Sequence, residues 1–250
     1  MIIIIYKLYI MIGKNIVEEE VVSKEEEVVE QLIKDEKVID LSDYFKKVFI
    51  NNVWSSNESI SGPGSEINSP LVINCIQCII NFINKSVFLK DKELLVLADI
   101  PCGDLNWINI LLQEILLKTN IKNIHYYAYD IVEEIKEKFE LIPKINNVTY
   151  SFKVFNAIDE IPIKADIILC KEMFIHLSFL HINKCLQNFK LSESTYLICS
   201  DSDNIENKDI QYCCYGECRH VSLLLEPFNL PNPEFEYTNY KIWDLSKFVF

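Results

Sequence analysis

The chain is poor in glycine, with five among its 250 residues, and nowhere carries the spacing Gly-x-Gly-x-x-Gly. That absence argues against a nicotinamide dinucleotide, whose pyrophosphate needs those glycines to approach the backbone at a helix N-terminus. Basic residues are also few: 24 Lys and Arg stand against 37 Asp and Glu, a formal net charge of -13. General binding to nucleic-acid backbones needs clustered cations that displace counterions, so it is not expected. The cysteines do not suggest a disulfide framework. There are nine, an odd number scattered over expected strands and helices, and they read as small buried hydrophobes of a reducing, cytoplasmic compartment. Long apolar runs are missing too. The most apolar stretch, MIIIIYKLYIMI over 1–12, is short, is broken by Lys7, lacks a basic start and leads into Glu-rich sequence without a small-residue cleavage site. It is expected to be a strand or an extension rather than a membrane span.

Half of the residues are hydrophobic, enough for one well-buried core at this length. An N-terminal extension over 1–50 is expected to be partly helical: over 15–48, acidic clusters alternate with Val, Leu and Ile pairs, the pattern of amphipathic helices with solvated charged faces. The remainder, 51–250, is organised around LLVLADIPCGDLNW over 94–107. A buried strand, LLVLAD, runs into a tight Pro-Cys-Gly turn and then into a helix beginning near Leu105. In an open parallel sheet, ligands sit at such a strand end. Gly103 allows close backbone approach, whereas Asp99 and Asp104 bring carboxylates that repel a pyrophosphate. A nucleoside without phosphates is therefore expected, and an adenosyl group carrying a sulfonium fits better than NAD.

Strands are predicted at 94–99, 124–130, 148–155, 165–170 and 195–201, alternating with helices at 71–85, 107–117, 132–139 and 179–189 as in a doubly wound α/β sheet. Asp130 ends the second strand, roughly thirty residues after Asp99, where nucleoside-binding sheets place an acid on the ribose hydroxyls. It also stands where a carboxylate caps the following helix. Cys75 and Cys78 form a Cys-x-x-Cys pair whose only candidate partners for zinc are Cys213, Cys214 and Cys218 with His220; buried thiols are the expectation, and no metal is assigned.

Four segments carry a family resemblance. LADIPCGDLNW over 97–107 resembles the first motif of class I S-adenosylmethionine-dependent methyltransferases, in the variant Asp-x-Pro-Cys-Gly-Asp-x-x-Trp. VWSSNESISGPGS over 53–65, ADIILCKEMFIHLS over 165–178 and GECRHVSLLLEPFNLPNP over 216–233 resemble, in order, the segment before the first strand, the fourth-strand motif and the Pro-Phe-x-x-Pro-x-Pro tail of one group of these enzymes. The resemblance implies a Rossmann-like sheet of seven strands, its last pair antiparallel and drawn from 235–239 and 241–250. It implies S-adenosyl-L-methionine as cofactor, held by Asp99, Pro101, Cys102, Gly103, Asp104, Trp107, Asp130, Asn156 and Ala157. Asn156 stands where related enzymes often carry Asp, and Lys171-Glu172 where the group shows Arg-Asp. An amide oxygen can still accept from an adenine amino group, whereas Lys offers a single point in place of a planar fork.

The loop over 51–70 is expected to fold over the cofactor as a lid. Trp54, Ser61, Gly62, Lys171, Arg219 and His220 are expected to face the acceptor, with Phe228 as a core plug. The acceptor implied is a hydroxyl of a small molecule or glycan, and its proton goes to His176 or Glu172. Imidazole is better matched near neutrality, so His176 is favoured as base and Glu172 as the group orienting the acceptor. A non-catalytic adenosyl-binding module on the same fold is the rival expectation.

Overall fold

The computed structural model describes residues 39–54, 56–203 and 205–250. The apolar stretch over 1–12 and most of the acidic segment expected to be helical lie outside the described residues. Leu41–Phe250 form one compact unit. Its first helix, α1 (Leu41–Ile50), falls within the expected extension yet buries Leu41, Tyr44 and Val48. Next comes α2 (Pro70–Lys85), opened by Pro70 at its first position and by the Ser69 hydroxyl, which accepts from the Val72 N–H.

The other elements alternate: β1 (Leu94–Asp99), α3 (Ile108–Lys118), β2 (Asn123–Asp130), α4 (Ile135–Leu141), β3 (Val148–Val154), β4 (Ile167–Cys170), α5 (Phe179–Leu191), β5 (Tyr196–Ser200), β6 (Phe235–Tyr237) and β7 (Tyr240–Asp244). They build a seven-stranded sheet in the order β3-β2-β1-β4-β5-β7-β6. Five strands are parallel, and β7 runs antiparallel to both β5 and β6. This is the doubly wound Rossmann-like arrangement expected. The order reverses between β1 and β4, so the crevice at the switch point opens over the carboxyl ends of β1, β2 and β4. Beneath it, Leu95, Leu97, Ile124, Tyr126, Ile167 and Leu169 are buried completely.

Most predicted boundaries move by a residue or two, and three shifts have an evident local reason. Helix α3 starts at Ile108 rather than near Leu105, because Leu105 sits at φ 62 in the left-handed region and keeps the turn open. Helix α4 starts at Ile135 rather than 132, because Asp130 accepts from the Val132 N–H and holds that residue in a turn. The last strand ends at Asp244, where the carboxylate accepts from the Ser246 N–H and opens a short 3-10 turn, Leu245–Lys247. Phe228 is half-buried, its ring edge-on to Phe179 with centroids 5.3 Å apart, so the tail is plugged by the buried Val221, Leu223 and Leu230 instead.

Candidate active site

A cavity of about 140 Å³, open to solvent at its mouth, lies over the carboxyl ends of the central strands. Of the sequence-predicted residues, Pro101, Cys102, Gly103, Trp107, Asp130, Asn156, Ala157, Trp54, Ser61, Lys171, Glu172 and His176 line it. Asp99, Asp104, Gly62, Arg219 and His220 do not.

On the floor, Gly103 sits at φ 56, and a Cβ there would meet the Ser61 Oγ at 2.5 Å. The Gly103 N–H donates to one Asp130 oxygen (3.0 Å) and the Val132 N–H to the other (3.0 Å). The carboxylate is thereby fixed at the end of β2, each oxygen keeping a lone pair for a further donor. Burial pushes its pKa up to about 6, against the lowering by these N–H groups. The capping role predicted for Asp130 is not met, since α4 opens at Ile135 with Glu134 before it; the carboxylate closes a turn onto Val132 instead and lines the cavity.

Asp99 lies deeper, 2 % exposed, accepting from the Tyr126 hydroxyl at 2.8 Å; burial pushes its carboxyl up to about 7. It supports the loop from below and makes no wall of the cavity, which corrects the expectation of direct contact. Asp104 is likewise occupied: its oxygens accept from the Ser59 hydroxyl (3.0 Å) and the Ile60 N–H (2.8 Å), while its own N–H donates to Ser61 Oγ (2.9 Å).

Those bonds also revise the expected lid. Glu58 accepts from the Asn106 amide (2.8 Å) and the Ile67 N–H (2.9 Å), and the buried Lys171 ammonium donates to the Gly64 carbonyl (2.8 Å). The loop over 56–69 is therefore fastened to the strand-end loops as a wall of the site. Gly62 serves the same end: at φ 93 it is buried, and a Cβ would press on the Trp54 Cβ at 3.1 Å. Lys171 loses charge stability by desolvation, so burial lowers its pKa.

Asn156 forms a local turn: its amide oxygen accepts from the Ile158 N–H (3.1 Å) and its amide nitrogen donates to Asp159 (2.6 Å). One lone pair of the oxygen remains for an adenine amino group. Next to it Ala157, 7 % exposed, brings its backbone to the cavity.

Across the cavity, His176 closes a 3-10 turn, Phe174–His176, after β4. Its Nδ1 lies 2.9 Å from the Glu217 carbonyl oxygen. A carbonyl only accepts, so Nδ1 carries the proton and Nε2 is the acceptor. The ring stacks at a tilt on Trp54, centroids 4.7 Å apart, and faces Phe45 edge-on. Desolvation lowers the imidazole's pKa, partly offset by the Glu217 carbonyl and the Glu172 charge. Glu172 occupies the left-handed region at φ 57, held by its N–H donating to Ser200 Oγ (3.1 Å). A non-glycine residue held there marks local strain of the kind that gathers at functional sites.

Arg219 departs from its expected role. Its Nη1 donates to the Phe174 carbonyl (2.6 Å), Nη2 to the Leu177 carbonyl (2.5 Å) and Nε to the Lys208 carbonyl (3.1 Å). Two of the five guanidinium N–H groups thus brace the turn that bears His176, a third holds Lys208, and Arg219 does not line the cavity. His220 is exposed and lies 3.2 Å from the Ser202 hydroxyl, away from the cavity.

Sequence reasoning missed the roof. Leu41, Phe45 and Phe49 on α1 line the cavity at i, i+4 and i+8. Tyr44, one position round, donates its hydroxyl to the Cys214 carbonyl (2.7 Å), and Lys46 pairs with Glu134 beyond β2. The helix therefore bridges the mouth from the β4 side to the β2 side. The apolar i, i+4 spacing was visible in the sequence, but nothing there said what the face covers.

Cys75 and Cys78 are buried in α2, their thiols pushed up by burial, that of Cys78 to about 12. Cys213, Cys214 and Cys218 are exposed, and among the described residues no three metal-ligating side chains come together.

No known family model and no curated protein matches the chain. Solved structures do resemble it. Magnesium protoporphyrin IX methyltransferase from Synechocystis PCC 6803 with bound S-adenosylhomocysteine shares 11% identity over 81% of this chain and 95% of that one, with a TM-score of 0.45. The N-methyltransferase NodS from Bradyrhizobium japonicum WM9 shares 9% over 62% and 72%, TM-score 0.42. A putative Zn-dependent alcohol dehydrogenase from Rhodobacter sphaeroides shares 10% over 67% and 58%, TM-score 0.41. Likeness at this level is one of chain path and assigns no chemistry.

Proposed function

We propose that the chain is an S-adenosylmethionine-dependent methyltransferase acting on a hydroxyl. The observation that carries the reading is the Asp130 carboxylate, anchored at the carboxyl end of β2 by the Gly103 and Val132 N–H groups and lining the cavity at the switch point of the sheet. Two acceptor oxygens at that position suit a ribose diol. The residues present fit the adenosyl group: Asp130 takes the ribose, Asn156 and Ala157 the adenine edge, and the glycine of 101–103 lets the backbone come close. Bound there, S-adenosylmethionine supplies an electrophilic methyl and a neutral thioether leaving group.

Alignment of the acceptor against that methyl is the main contribution of the protein. Nε2 of His176 would take the proton of an acceptor hydroxyl as that oxygen accepts the methyl which the bound cofactor would supply. Glu172 orients the acceptor from the adjacent loop. Its bonds to the Phe174 and Leu177 carbonyls and its place outside the cavity make Arg219 a positioning residue for the His176 turn rather than an acceptor clamp.

Isothermal calorimetry with S-adenosylhomocysteine, beside NAD as control, tests the cofactor. Micromolar binding of the first and none of the second is expected, and the reverse order refutes the reading. Formation of S-adenosylhomocysteine in the presence of an acceptor separates an enzyme from a non-catalytic adenosyl-binding module.

A further inference from the structure

The acceptor half of the cavity is built from rings and aliphatic groups with very few polar groups to spare. Phe45 and Phe49 with Leu41 form its roof, and Trp54 and His176 form one wall. Most polar side chains nearby are already committed. Lys171 donates to the Gly64 carbonyl, the Trp54 indole N–H to the Gly216 carbonyl (3.1 Å), and Arg219 to three backbone carbonyls. Ser61 accepts from Asp104 and lies against Gly103, on the cofactor side. On the acceptor side few side chains keep polar capacity: His176, through Nε2, Glu172, and the Ser65 hydroxyl, which lines the cavity and only accepts from Lys171 (3.5 Å).

Resting on the methyltransferase reading, we infer that the acceptor is a small planar aromatic compound bearing a hydroxyl, and not a glycan. A sugar brings several hydroxyls, and each one buried without a partner loses its hydration for nothing in return. Rings of Phe45, Phe49 and Trp54 instead match a flat body by stacked and edge-on contacts. The base points the same way. A desolvated imidazole is a weak proton acceptor, and a phenol, ordinarily near 10 as in tyrosine, gives up its proton more readily than an aliphatic alcohol does. The one polar end of such a molecule would meet the few polar groups that remain.

The test is direct binding, independent of turnover. A chlorinated phenol and methyl glucoside are titrated by calorimetry into the protein saturated with S-adenosylhomocysteine. The phenol should bind at least about a hundredfold tighter than the sugar. Phe45→Ala should weaken the phenol by roughly tenfold while leaving S-adenosylhomocysteine affinity within about twofold. Phe45→Leu keeps the roof packed, and it should still lose several-fold because the ring is gone. Equal or preferential binding of the sugar, or no phenol binding while S-adenosylhomocysteine binds, overturns the inference and leaves the methyltransferase reading intact. Failure of S-adenosylhomocysteine itself to bind removes the reading on which the inference rests.

Discussion

Binding of S-adenosylhomocysteine should weaken as pH falls through the titration of Asp130. Its carboxyl, pushed by burial to about 6, is about nine-tenths ionised at pH 7 and about one-tenth at pH 5. Only the ionised form leaves acceptors for both ribose hydroxyls, since the proton of the neutral form occupies one oxygen. Affinity at pH 5 should therefore be roughly tenfold below that at pH 7 and should level off above neutrality. Asp130→Asn tests the same group at fixed pH. The amide keeps one acceptor but turns an N–H toward the N–H of Gly103 or Val132, and one ribose hydroxyl loses its partner. A loss of roughly 1.5–3 kcal/mol in affinity follows, with the pH slope abolished. Calorimetry from pH 5 to 8, in buffers of differing ionisation heat, reads both the affinity and the protons exchanged. Wild-type affinity that is flat over this range, or retained by Asp130→Asn, would refute the assignment.

Asp99→Asn should stabilise the protein at pH 8: a buried carboxyl raised from 3.8 to about 7 contributes stability below its unfolded pKa and loses it as pH rises through the folded value. The gain, on the order of 4 kcal/mol at most, should shrink toward zero near pH 4 in urea unfolding curves. Gly103→Ala should cost about 1–2 kcal/mol from its positive φ and further stability from the clash with Ser61, while also weakening S-adenosylhomocysteine. The added Ser61→Ala should relieve the clash but not the backbone strain; a fully stable Gly103→Ala protein contradicts both. His176→Ala should lower methyl transfer about a hundredfold or more with cofactor affinity unchanged, and full turnover across pH 6 to 9 would return His176 to a structural role. Arg219→Lys should reduce kcat with little change in KM, because the single ammonium cannot reproduce the fork to Phe174 and Leu177; a rise confined to KM would instead mean contact with the acceptor.

Much of the scaffold was legible because local chemistry and fold agree. LLVLAD is apolar, is followed by a turn, and forms the buried β1; Asp130 closes an apolar run and stands at the end of β2. Ser69 and Ser178 cap the helices that begin after them. Boundaries moved where a single residue adopts a conformation its type does not advertise, as Leu105 does at φ 62. Periodicity carries no record of such a residue.

The roles of the polar site residues were harder to read, and the reason is physical. A sequence reports which donors and acceptors exist but not which are already satisfied, and it is the unsatisfied ones that meet a ligand. Arg219, Asp104 and Lys171 have the chemistry of ligand-binding groups, yet their bonds go to carbonyls, hydroxyls and N–H groups of the chain itself. Their work is to fix loops that the regular elements leave free. The 216–219 segment illustrates the economy of this: the Gly216 carbonyl takes the Trp54 indole, the Glu217 carbonyl sets the His176 tautomer, and Arg219 braces the turn between them. A Cβ at Gly216, which sits at φ 75, would lie 2.9 Å from the Trp54 Nε1, so the segment admits no side chain there. Three backbone and side-chain contacts thereby leave one nitrogen, Nε2 of His176, able to accept a proton inside an otherwise apolar wall. Reactivity at this site follows from what the surrounding bonds leave unfilled.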